Sequence, residues 1–173
     1  MTAVNEVSTR ARHVRSGEGR SLWVVGDTYT IKAAGEETNG AFALIEASVP
    51  PGGGPPPHVH SREDEAFYLL DGELEVLAGR STTSVRAGDF VLLPRGLVHG
   101  FTNPGVTAAR MLILTAPAGF ERFFAEAGTA ARPGEQAPPL DPADFARIAE
   151  LSRAYGAYVE GPADSPPPGQ ETT

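Results

Sequence analysis

The chain has 173 residues, 40% of them hydrophobic, a size and apolar content that suit one compact domain with one core. Asp and Glu outnumber Lys and Arg by 22 to 14, which leaves no basic face for a nucleic-acid backbone or an anionic membrane surface. There is no cysteine, so disulfides and thiolate metal sites are excluded and any metal must be held by His, Asp or Glu.

Residues 1–20 are polar and Arg-bearing, without apolar periodicity, and read as a flexible N-terminal arm. They lack the apolar segment of a secretory signal, and no later run approaches membrane-spanning length. The expectation is a cytoplasmic protein with neither a membrane nor a nucleic-acid partner. From Ser21 to Leu114 the chain consists of short β-branched and aromatic runs: LWVV, TYTIKA, AFALIEASV, EAFYLLDG, ELEVLAG, FVLLP and RMLILTA. Turn residues at Gly72, Gly79, Gly88, Gly96 and Pro104-Gly105 punctuate them about every eight residues, the mark of an all-β sandwich or barrel. Asp71-Gly72 predicts a type I′ hairpin between its flanking strands. Pro55-Pro56-Pro57 predicts a stiff, extended approach to His58.

Beyond the β region the period changes to about 3.6. A helix is predicted over 117–127, with Phe120, Phe123, Phe124 and Ala127 on one stripe and Gly128 as its stop. A Pro/Gly-rich linker leads to a second helix over 141–155, opened by Asp141-Pro142 and carrying Phe145, Ile148, Leu151 and Tyr155 on its buried side. Both helices belong with the barrel as one domain over 21–160, and 161–173 form a disordered Pro-rich tail.

Four histidines remain to be placed. His13 lies in the polar arm and carries no role. On a strand, His58 and His60 point to the same face about 7 Å apart, close enough to converge on one ion. Glu65 opens the next run, and His99, in LVHGF, must reach the same place through space. Three imidazoles and one carboxylate suit one divalent Fe, Mn, Co, Ni, Cu or Zn. Phe67, Leu69 and Phe101 share strand parity with Glu65 and His99, so they are expected inside the barrel, filling it or lining a substrate pocket. Arg62, Glu63 and Asp64 read as a solvated charge run, and Asn103 as a turn cap.

These residues resemble the cupin superfamily. Its first motif is met by Gly52, His58, His60, Glu65 and Gly72, and its second by Gly88, Pro94, Gly96, His99 and Asn103, at the family's spacings. The intermotif stretch of 15 residues is similar to that of small single-barrel cupins. The resemblance implies a double-stranded β-helix, or jelly-roll barrel, of two antiparallel sheets with two C-terminal helices. It assigns His58, His60, Glu65 and His99 as ligands of one divalent transition metal, and implies a homodimer.

The flanks resemble single-domain cupins of the quercetin 2,3-dioxygenase-like group. That resemblance implies a dioxygenase acting on a small phenolic or enolic, flavonol-like molecule, with Glu65 both coordinating and accepting the substrate's proton. The same barrel also serves non-redox isomerases, cyclases and decarboxylases, and non-catalytic ligand-binding proteins. The ligand set alone does not separate these.

Overall fold

The computed structural model describes residues 11–159. In chain order the strands are β1 (Arg20–Val24), β2 (Asp27–Ala33), β3 (Ala43–Val49), β4 (His58–His60), β5 (Asp64–Asp71), β6 (Glu73–Ala78), β7 (Ser81–Arg86), β8 (Phe90–Leu93), β9 (His99–Thr102) and β10 (Ala109–Ala116). There follow the helix α1 (Glu121–Ala127), β11 (Thr129–Ala130), a 3₁₀ turn (Pro142–Asp144), the helix α2 (Phe145–Ala154) and β12 (Ala157–Val159).

The strands form two antiparallel sheets, a seven-stranded one in the order β11-β1-β2-β3-β10-β5-β8 and a five-stranded one in the order β12-β4-β9-β6-β7. This is the double-stranded β-helix expected from the motifs. Alternation drives it: Ala43, Ile45, Ala47 and Val49 of β3 are fully buried while the residues between them are half-buried. On β10, Ala109, Met111, Ile113 and Thr115 face inward in the same way.

One turn departs from expectation. Asp71-Gly72 does not close a hairpin, because β5 and β6 belong to different sheets. It is the corner where the chain crosses between them. Gly72 has φ 78 there, and a Cβ on it would lie 3.0 Å from the Cα of Ala109, beside the irregularity at Arg110/Met111 in the β10–β5 register. The two-residue hairpins lie elsewhere, at Val25-Gly26 between β1 and β2 and at Gly79-Arg80 between β6 and β7. Strand β7, with Val85 as its one buried residue, has no apolar alternation to signal it.

The first helix starts at Glu121 rather than at 117, since Gly119 at φ 145 is outside helical space. The Glu121 carboxylate accepts from the amides of Gly35 at 2.9 Å and Gly119 at 2.6 Å, pinning the start of α1 to the β2–β3 loop. Asp141 caps the second helical segment through the Ala143 amide at 2.9 Å, but the segment opens as a 3₁₀ turn and α2 ends at Ala154. Phe145, expected on its buried side, is 45% exposed. Residues 11–19 hold no regular element, while residues 1–10 of the expected arm and the expected tail at 161–173 lie outside the described residues. Among the described residues no helix is long and apolar enough to cross a membrane.

Phe120, Phe123 and Phe124 are all buried, and Phe124 lies against Tyr29 of β2 with ring centroids 4.4 Å apart. Replacing Phe124 by Ala removes that contact and opens a void between α1 and the barrel. The expected loss is about 3–5 kcal/mol of unfolding free energy, read from urea denaturation of Phe124→Ala against wild type.

Candidate metal centre

β4 and β9 run antiparallel with His58 opposite His99. His60 follows two residues along β4, and Glu65 enters from the start of β5 in the facing sheet. One donor atom from each of His58, His60, Glu65 and His99 lies within 4.8 Å of the others. His60 and His99 are 1% exposed and Glu65 is 5% exposed, whereas His58 is half-buried.

The orientation of each imidazole has a visible cause. The Nδ1 atoms of His58 and His99 lie 2.9 Å from the carbonyl oxygens of Pro56 and Leu97. A carbonyl can only accept, so in both rings Nδ1 carries the proton and Nε2 turns toward the centre. His60 Nδ1 meets the Glu63 carboxylate at 3.4 Å, and its buried Nε2 has no hydrogen-bond partner. A buried nitrogen left open among three other donors fits a cation at that point.

Charge follows the same geometry. Burial, reinforced by the neighbouring His99, pushes the His58 pKa down to about 4, so its imidazole is neutral near pH 7. Burial alone would raise the Glu65 pKa, but the 2.9 Å hydrogen bond from His99 Nε2 and the surrounding imidazoles hold it below its ordinary value. The His99 pKa is raised by that bond and by the Glu65 charge against the opposing effect of burial. With Nδ1 already donating to Leu97, a proton on Nε2 makes His99 an imidazolium, and a bound cation would take that proton's place beside Glu65.

Glu63 corrects an expectation. It is 3% exposed and supports His60, instead of standing in a solvated run. Asp64 is half-buried and takes a two-point contact from Arg95, with Nε and a terminal guanidinium nitrogen each 3.0 Å from its oxygens. This fastens the start of β5 to the turn before His99. Asn103 caps as expected: its amide donates to the carbonyls of Val49 and Thr107, and its oxygen accepts from the Gly105 amide, each at 2.8 Å.

His58, His60 and Glu65 border a cavity of about 80 Å³. Of the three apolar residues expected at a pocket, Phe101 borders it; Phe67 and Leu69 are buried in the core and do not reach it. Parity put all three inside the barrel but could not say how deep. Much of the wall comes from after the barrel, from Phe120, Phe123 and Phe124 around α1 and from Phe145, Ile148 and Ala149 of α2. Among the described residues no Lys or Arg borders the cavity.

Three further residues escaped sequence reasoning. Tyr29 borders the cavity and donates its hydroxyl to Asp27 Oδ2 at 3.1 Å, while Asp27 Oδ1 is buried with no hydrogen-bond partner. The one available signal was an Asp and a Tyr of equal parity on β2, the weakest kind. Val25, in the hairpin before them, also borders the cavity and holds φ 54, a left-handed conformation that a β-branched residue rarely adopts.

Residues 45–115 match the cupin domain family. Over 115 residues the chain is 29% identical to quercetin 2,3-dioxygenase of Bacillus subtilis, covering 66% of this chain and 34% of that protein. Over 71 residues it is 44% identical to oxalate oxidase 2 of Hordeum vulgare, covering 36% of this chain and 32% of the other. The chain thus spans about a third of the length of these curated relatives. Among solved structures, a predicted oxalate decarboxylase from Thermotoga maritima superposes with a TM-score of 0.58 at 24% identity, covering 61% of this chain and 99% of that one, a likeness of fold.

Burial raises the Asp27 pKa from 3.8 to about 7 despite the hydrogen bond from Tyr29. Between those values the unfolded chain releases a proton that the folded chain keeps, so stability is lost as pH rises, on the order of 4 kcal/mol over the whole interval. Asp27→Asn removes the titration. Its melting temperature relative to wild type is expected to rise by roughly 5 °C or more between pH 5 and pH 8, and a gap independent of pH contradicts the assignment.

Proposed function

The chain belongs to the cupin superfamily, and on that premise we propose that it is a metal-dependent dioxygenase for a small phenolic or enolic substrate, with His58, His60, Glu65 and His99 as the metal's ligands. The observation that carries this reading is the pairing of four converging donors with a largely apolar cavity that, among the described residues, no Lys or Arg borders. Beyond the metal itself, a dicarboxylate such as oxalate would find no Lys or Arg among the described residues of the wall to receive its second charge. A ring or chain with a single enol or phenol hydroxyl suits those walls better.

A bound transition metal supplies Lewis acidity toward an enolate or phenolate oxygen and, when redox-active, electron transfer to dioxygen. The rest falls to the chain. The Glu65 carboxylate, held below its ordinary pKa, is charged at neutral pH and accepts the hydroxyl proton as the substrate arrives. Phe101, Phe120 and Phe124 exclude water around the reacting group and press on a flat ring. At about 80 Å³ the cavity is smaller than the roughly 300 Å³ at which ligand clefts usually begin. A single small ring or a diketone fits this closed form more readily than a three-ring flavonol, which needs α2 to move outward.

Purified protein is expected to carry close to one transition metal per chain by elemental analysis, and His58→Ala with His60→Ala to carry none. A double variant with wild-type metal content removes the ligand assignment. In oxygen-uptake assays over diketones, catechols and flavonols, Glu65→Gln is expected to lose turnover by about 100-fold or more while losing less of its metal. Turnover that persists without oxygen turns the reading to non-redox chemistry at the same residues.

We also propose a homodimer through the outer face of the seven-stranded sheet. Tyr68, Phe90, Leu92 and Leu114 are 44%, 63%, 59% and 36% exposed on three adjacent strands ending at the edge strand β8. A second copy related by a two-fold axis covers this patch with itself and also shields the open edge. Light scattering at micromolar concentration is expected to give the dimer mass, and Phe90→Lys with Leu92→Lys the monomer mass with metal content unchanged. A wild-type monomer overturns the proposal.

A further inference from the structure

The strand that carries two of the four donors is only three residues long. Within the barrel its one neighbouring strand is β9, with which it shares a single register pair, His58 with His99, and one further backbone tie on that side is the Gly96 amide donating to the His60 carbonyl at 2.8 Å. A strand held so slightly on one side would fray. Its other edge is taken by β12, which lies beyond the residues matching the cupin domain family: Ala157, Tyr158 and Val159 stand opposite His60, Val59 and His58. The contact continues past the strand, where the Gly156 carbonyl accepts from the Ser61 amide at 2.9 Å and from the Ser61 hydroxyl at 2.8 Å. Ser152 of α2 donates to the Ala157 carbonyl at 3.0 Å and so ties β12 back to the helix.

We propose that β12 and α2 form a clamp that sets the positions of His58 and His60, so that metal retention depends on the chain from 145 to 159. The proposal rests on the metal reading of the site. Two donors on a three-residue strand converge only while that strand keeps its register, and most of the register is imposed by β12. The local sequence suits the task. Gly156, at φ 87, makes the reversal from α2 into β12, and a Cβ there would come within 2.8 Å of the Arg62 side chain. Tyr158 is 46% exposed, so its backbone matters to the clamp more than its ring. Because Ile148, Ala149 and Ser152 of α2 also border the cavity, one unit builds the pocket wall and holds the ligand strand.

The test uses the full chain. Tyr158→Pro removes the amide that faces Val59 and blocks pairing there, whereas Tyr158→Ala keeps the backbone. Zinc affinity is measured by competition with a chelator, and amide hydrogen exchange is followed over 58–61. Tyr158→Pro is expected to lose roughly 10- to 100-fold in zinc affinity together with exchange protection at 59–61, and Tyr158→Ala to match wild type. Wild-type affinity and protection in a folded Tyr158→Pro protein overturn the clamp. Should Tyr158→Pro not fold, Ser61→Ala with Ser152→Ala removes two of the tethering hydrogen bonds, and unchanged affinity and exchange in that variant overturn it equally. A wild-type protein that binds no zinc or other transition metal refutes the metal reading, and the exchange measurement then still decides whether β12 holds β4.

Discussion

A buried imidazole has two nitrogens, and at the centre of this barrel one of them is committed to the protein in every case. The carbonyls of Pro56 and Leu97 and the carboxylate of Glu63 take Nδ1 of His58, His99 and His60. That leaves Nε2 to face the shared space and fixes which tautomer can exist. The features around it follow from the need to hold those three acceptors still. Pro55, Pro56 and Pro57 stiffen the segment carrying one carbonyl, and the ion pair between Asp64 and Arg95 braces the turn that presents another. Glu63 is buried because it has to reach inward.

The two sheets bring the four donors together, but they do not finish the site. β4 and β9 set His58 against His99, and the facing sheet supplies Glu65 from β5. The residues that close the space above them come after the last barrel strand, from the start of α1 and from α2. The division is physical. Barrel strands alternate in and out and can offer only every second side chain to the interior, whereas helices laid across the mouth present a continuous apolar stripe. The four converging donors therefore lie in the stretch that matches the cupin domain family, and the shape of the cavity comes largely from the stretch that follows it.

Much of this was legible in the chain. The regularly spaced glycines mark the barrel and His58 and His60, two apart on a strand, mark one half of the cluster, since these are local properties, whereas Glu65 and His99 join it through the resemblance of both motifs to the cupin superfamily. Long-range properties were harder to read. Asp71-Gly72 has the composition of a hairpin turn, yet the same left-handed glycine also serves a corner between sheets, and only the partners of β5 and β6 distinguish the two. Glu63 looked solvated beside Arg62 and Asp64, since nothing in a charge run says which member turns inward. Phe67 and Phe101 have equal parity and equal chemistry, but depth along the barrel decides that Phe101 meets the cavity. β12 was missed because three residues after a glycine carry too little pattern to announce a strand.

The polar atoms that the fold leaves unsatisfied point to the same region. Among the described residues four buried side-chain atoms have no hydrogen-bond partner: Trp23 Nε1, Asp27 Oδ1, His60 Nε2 and Thr115 Oγ1. His60 borders the cavity, and Asp27 is bonded to Tyr29, which also borders it. Thr115 stands opposite Glu65 in the β10–β5 register, and Trp23 directly precedes Val24 and Val25 of the cavity wall. The left-handed Val25 lies there as well. Each such group costs about 1–3 kcal/mol, and an ordinary core would lose them to apolar substitutions at no functional penalty. Of the four residues, His60 borders the cavity itself, and Trp23, Asp27 and Thr115 lie next to, bonded to or opposite residues of its wall. The Asp27 and Tyr29 pair, which the metal cluster does not require, is thereby tied to the cavity rather than to the barrel as a whole.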